Sequence, residues 1–117
     1  MRKISWFALA APALLMACAR PIHDQSTLHE VRIEAQTLIK NAATKAQITV
    51  PKSKWPQTIA SLNPKSITVL ADGVDILIIP SFDGGSGYFI PLKEREIPEP
   101  KGRFATVSQG VYWYHPY

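Results

Sequence analysis

The sequence predicts an α+β fold, with an N-terminal amphipathic helix and a short second helix packed on an antiparallel meander of four or five strands. Three observations carry this. Apolar residues between positions 28 and 46 recur at helical spacing. From Lys65 onward the apolar period changes to two, with turn signals between the runs. No helical stretch separates the later runs, so parallel crossovers are excluded. The 117 residues, 46% hydrophobic and 19% charged, fit one domain and exclude wholesale disorder.

Thr27 and Glu30 have the spacing of a capping box, so a helix is expected from Thr27. Leu28, Val31, Ala35, Leu38, Ile39, Ala42 and Ala46 form its apolar stripe, while Glu30, Arg32, Glu34, Gln36, Lys40 and Lys45 lie mostly off it. The acids Glu30 and Glu34 come early and the lysines 40 and 45 late, which complements the helix dipole. Residues 48–50 are expected to be extended before Pro51. Trp55-Pro56 opens the second helix, because proline suits a first turn. Trp55, Ile59 and Leu62 share its face, Trp55 as a core anchor, and Asn63-Pro64 ends it.

Residues 66–70 alternate around Ile67 and Val69, and Asp72-Gly73 is a hairpin turn signal. Residues 74–79 form the return strand, with Val74, Ile76 and Ile78 on one face and Pro80 at its end. Residues 82–87 read as a flexible connection and 88–92 as a third strand. Residues 93–102 read as an exposed charged loop, 103–107 as a fourth strand and 111–114 as a fifth. On that last strand Val111 and Trp113 face one way, and Tyr112 and Tyr114 the other.

The N-terminus speaks to location. Arg2 and Lys3 precede fourteen uncharged residues, 4–17. As a helix these span about 21 Å, short of the roughly 30 Å hydrocarbon core, and Pro12 interrupts them. A basic start, a short apolar run and small residues at its end are the features of an export signal. Leu15-Met16-Ala17-Cys18 resembles the lipobox of bacterial lipoproteins. The resemblance covers residues 1–18. It implies cleavage before Cys18, a thioether-linked diacylglycerol on its sulfur and acylation of the new amino group. The expected division is a signal peptide at 1–17, a lipidated tether at 18–26 and a globular domain at 27–117. Ala19 in place of Asp implies the outer membrane, facing the periplasm, by the sorting pattern of that family. Removal of Arg2 and Lys3 lowers the net charge from +4 to about +2, and no basic stripe is left for nucleic acid. The single cysteine excludes an intramolecular disulfide and a zinc site built on several thiolates.

No catalytic constellation emerges. Residues 83–87 run into a strand-like segment, so they lack the helix that a phosphate cradle requires. Their glycines are one position out of register for a nucleophile elbow. His23, His29 and His115 lack metal-ligand spacing, so no metal or other cofactor is expected. Glu94, Glu96 and Glu99 alternate with Lys93, Arg95 and Lys101 as a solvated loop would. Candidate binding residues are Tyr112 and Tyr114, if their face is presented to solvent, and Asp83 and Ser86 on the glycine-rich connection. The expectation is a lipid-anchored, non-enzymatic binding or accessory module with a protein or glycan partner in the envelope. The alternative is a periplasmic inhibitor or immunity protein against a toxin or wall-degrading enzyme. A small hydrolase using Asp83, Ser86 or the Glu94, Glu96 and Glu99 loop is the third reading.

Overall fold

The computed structural model describes residues 24–42, 47–93 and 101–116. The expected signal peptide, Cys18, Ala46 and the glutamates at 94, 96 and 99 lie outside them. Among the described residues the fold is α+β, with one long helix and a six-stranded antiparallel sheet. The elements are α1 (Gln25–Asn41), β1 (Ile48–Thr49), α2 (Gln57–Ala60), β2 (Ser66–Leu70), β3 (Gly73–Ile79), β4 (Ser86–Pro91), β5 (Phe104–Ser108) and β6 (Val111–Tyr114).

Helix α1 starts earlier than the capping-box spacing suggested. Asp24, expected in a solvated tether, is the N-cap. Its carboxylate accepts from Ser26 N (3.3 Å), Ser26 Oγ (3.0 Å) and Thr27 Oγ1 (2.6 Å). A full negative charge at the helix start outcompetes a hydroxyl there. Thr27 therefore donates to the cap rather than serving as one, and the hydroxyl bonds hold the Asp24 carboxyl below its usual value. Leu28, Val31 and Ala35 are fully buried, and Leu38, Ile39 and Ala42 pack on the same core.

The second helix is shorter than expected. A 3₁₀ turn occupies Lys52–Lys54, Trp55 is extended, and α2 is a single turn. Pro56 offers it no side-chain cap. Glu34 on α1 fills that role across the fold, accepting from Thr58 N (3.0 Å) and Ile59 N (2.9 Å). Trp55 packs against the core, and its Nε1 donates to Val50 O (3.0 Å).

The sheet has six strands rather than four or five, in the order β1-β2-β3-β4-β6-β5. The extended residues Ile48 and Thr49 pair with Val69 and Thr68 and supply an extra strand. The meander breaks after β4. Phe104 stands level with Gly87 at the end where β4 begins, both paired with Tyr114, so β5 runs in the direction of β4. Only β6 can pair antiparallel with both, and it lies between them. Strand β4 also begins earlier than the glycines suggested, because Ser86 pairs with Ile79 and Gly87 with Leu77.

The face toward α1 holds Ile67, Val69, Val74, Ile76, Tyr88, Ile90, Val111 and Trp113, with Ile59 from α2. Tyr88 and Trp113 meet edge to face at 5.0 Å. Capping side chains typically contribute about 1 kcal/mol. Glu34→Ala is accordingly expected to lower stability by roughly 0.5–2 kcal/mol in urea unfolding, with Glu34→Gln recovering part of the loss.

Candidate functional site

The sheet's second face is also closed, although α1 lies on the other side. Alternation places Asp75, Phe89, Tyr112, Tyr114 and Phe104 there. Register aligns them, since Asp75 faces Phe89, Phe89 faces Tyr112, and Tyr114 lies between Gly87 and Phe104. Phe104 sits 6.0 Å from the rings of both Phe89 and Tyr114.

Arg103 closes this cluster. Its guanidinium lies 4.7 Å from the Tyr114 ring centre and 6.0 Å from that of Phe104. Its Nε donates to His115 O (2.7 Å) and its Nη2 to Gly84 O (2.8 Å). One side chain thus ties the exit of β6 to the β3–β4 turn. Beneath it, the Tyr114 hydroxyl donates to Asp75 Oδ1 at 2.5 Å. Gly87 makes room for that hydroxyl, because a Cβ there would stand 2.9 Å from it and would run into the carbonyl of Ile76.

Burial pushes the Asp75 carboxyl above its ordinary value, against the Tyr114 hydrogen bond and the Arg103 charge, which pull it down. The Tyr114 hydroxyl is pushed far above the usual phenol range, first by burial and then by the bond to Asp75 and its charge. The proton therefore stays on Tyr114, and any external group would have to displace that hydroxyl to reach Asp75 Oδ1. With Tyr114 only 4% exposed, the arrangement acts as an internal lock on the sheet.

The residues singled out from sequence are distributed as follows. Tyr112 and Tyr114 are buried, at 8% and 4% exposure, and are not displayed on an open surface. Ser86 is buried at the start of β4. Asp83 lies in the β3–β4 turn and takes its hydrogen bond from the Ser81 hydroxyl, not from Ser86. His29 and His115 are exposed, on α1 and just after β6. Among the described residues no three His, Cys, Asp or Glu side chains gather to hold a metal ion.

From sequence Asp75 reads as the polar face of its strand, and Arg103 has no assigned role. A carboxylate between Val74 and Ile76 was a signal of sorts, but its tie to Tyr114 depends on register across three strands.

A groove of about 440 Å³ opens elsewhere, beside Lys52, Trp55, Asn63 and Lys65, with the Lys52 ammonium 5.9 Å from the Trp55 ring centre. Among the described residues no helix is long and apolar enough to cross a membrane.

The pH dependence has a definite sign. A raised carboxyl value means the folded chain binds that proton more tightly than the unfolded chain, whose value is near 3.8. In the window just above 3.8, Asp75 therefore makes stability fall as pH rises. Asp24 acts oppositely, since its contribution is present above 3.8 and is lost as pH falls through its lowered value. Urea unfolding across this window is expected to show a shallower decline with rising pH for Asp75→Asn than for the wild type. Tyr114→Phe leaves the carboxylate without its donor and is expected to cost roughly 1–3 kcal/mol at neutral pH. No family model matches the chain, and neither a curated protein nor a solved structure matches it.

Proposed function

We propose that the chain is the precursor of a lipid-anchored protein of the bacterial cell envelope, whose body is a non-enzymatic binding or accessory module. The observation that carries the reading is Leu15-Met16-Ala17-Cys18 at the end of an uncharged run that follows Arg2 and Lys3. Each buried methylene contributes about 0.8 kcal/mol, so one acyl chain anchors marginally, whereas the three of a mature lipoprotein hold firmly. Ala19 favours the outer membrane, with the body facing the periplasm and a protein or glycan as its partner. The non-enzymatic part draws on the fate of the perturbed titratable groups, since Asp75 and Tyr114 satisfy each other beneath Arg103.

Inhibition of the lipoprotein signal peptidase with globomycin is expected to accumulate a longer, acylated precursor in envelopes. Cys18→Ser is expected to abolish incorporation of radiolabelled palmitate. Undiminished labelling of that variant would exclude anchoring through Cys18.

A further inference from the structure

The charges of the chain are segregated. All nine acidic residues lie outside positions 35–71, a stretch that holds five lysines. Three of these, Lys52, Lys54 and Lys65, gather at the end of the sheet where β2 begins. Lys65 N donates to Leu77 O (2.7 Å), and the 3₁₀ turn Lys52–Lys54 follows directly on Val50, whose N donates to Ile67 O (2.8 Å). Among the described residues none of the three is paired with a carboxylate. Of the other two, Lys40 stands apart beside Leu92, and Lys45 lies outside the described residues.

The acids on the surrounding elements are turned to other work. Glu34 reaches the start of α2, where both its oxygens accept from backbone N–H groups. Asp75 is bonded to Tyr114 on the sheet's other face. Asp83, on the β3–β4 turn at the same end of the sheet, takes the Ser81 hydroxyl, and Arg103 is bound to that turn at Gly84 O. Asp72 lies beyond the far end of β2. None of these carboxylates lines the groove of about 440 Å³ that opens between the lysines, whose walls are Lys52, Trp55, Ala60, Asn63, Pro64 and Lys65. Its size is that of a small-molecule site.

Two uncharged walls narrow the chemistry. The Trp55 Nε1–H is spent on Val50 O, which fixes the ring and leaves only its carbon surface to offer. Asn63 adopts a left-handed φ of +55°, a conformation that asparagine tolerates better than most residues. Its N donates to Ala60 O (3.0 Å), so the backbone holds the residue in the groove wall. Its side-chain amide has no partner among the described residues and brings both donors and an acceptor.

We infer that this groove binds an acidic sugar unit, a hexose bearing a carboxylate or a phosphate. The C–H face of the sugar packs on Trp55, its hydroxyls exchange hydrogen bonds with the Asn63 amide, and Lys52 and Lys65 hold its anionic group. A neutral sugar would leave the lysines unused, and a bare anion would leave Trp55 and Asn63 unused. The inference deepens the reading of the body as a binding module with a glycan partner and rests on it. It does not involve Cys18, so its failure and the failure of lipid anchoring are told apart.

The test is an NMR titration of the isotopically labelled full chain with glucuronic acid, glucose 6-phosphate, glucose and inorganic phosphate in turn. At least one of the two acidic sugars is expected to shift the Trp55 indole and Asn63 side-chain amide signals to saturation, at least about tenfold more tightly than glucose or phosphate. Added salt is expected to weaken this binding. Lys52→Gln with Lys65→Gln, both at exposed positions, is expected to weaken it by about tenfold and to leave the urea unfolding curve in place. Lys101→Gln, before the strand at the opposite edge of the sheet, is expected to change nothing. Equal binding of glucose or of inorganic phosphate, undiminished shifts in the double variant, or no saturable shift with either acidic sugar would each overturn the inference.

Discussion

A six-stranded sheet has two faces, and among the described residues one long helix covers only one of them. The fold depends on how the other is closed. Alternating side chains of β3, β4, β5 and β6 bring Phe89, Phe104, Tyr112 and Tyr114 together there, and Arg103 lies across the rings. The planar guanidinium suits this position, since it stacks on aromatic faces while its N–H groups reach carbonyls at the edge. Those carbonyls belong to Gly84 and His115, so the side chain that covers the rings also fastens two separate stretches of backbone.

The same closure accounts for the raised carboxyl of Asp75. Asp75 sits mid-strand between Val74 and Ile76, both fully buried on the opposite face. Covering the aromatic face removes water from Asp75, and the Tyr114 hydroxyl restores one hydrogen bond. A buried polar pair of this kind is a modest stabiliser at best, but it fixes geometry. The bond forms only when β3, β4 and β6 are in the observed register, because Tyr114 must pass the bare backbone of Gly87 to reach Asp75. A slip by one residue would turn Tyr114 to the opposite face.

Local chemistry was legible in the sequence, and long-range pairing was not. The stripe Leu28, Val31, Ala35 identified the buried face of α1, and the alternation of Val74 and Ile76 identified that of β3. Asp72-Gly73 marked its turn correctly. The cap of α1 was misplaced by three residues because Asp24 and Thr27 are both good caps, and only their mutual hydrogen bond shows which one serves. The extra strand β1 has two residues, too few for a periodic signal. The position of β6 follows from where the chain re-enters the sheet, which no local pattern records. For the same reason Tyr112 and Tyr114 were visible as a pair on one face, while the partners that bury them were not.

The placement of β6 shapes how the molecule is made. Among the described strands, residues 111–114 come last in chain order, yet they occupy an interior position in the sheet. A polypeptide that emerges from its N-terminal end can form the β2–β3–β4 hairpins early, but β4 keeps an open edge until the final strand arrives. Closing the sheet therefore waits for residues 111–114, and sequence-distant pairings of this kind are slow to form. Until then the unpaired edge of β4 is a template on which a strand of another chain can pair.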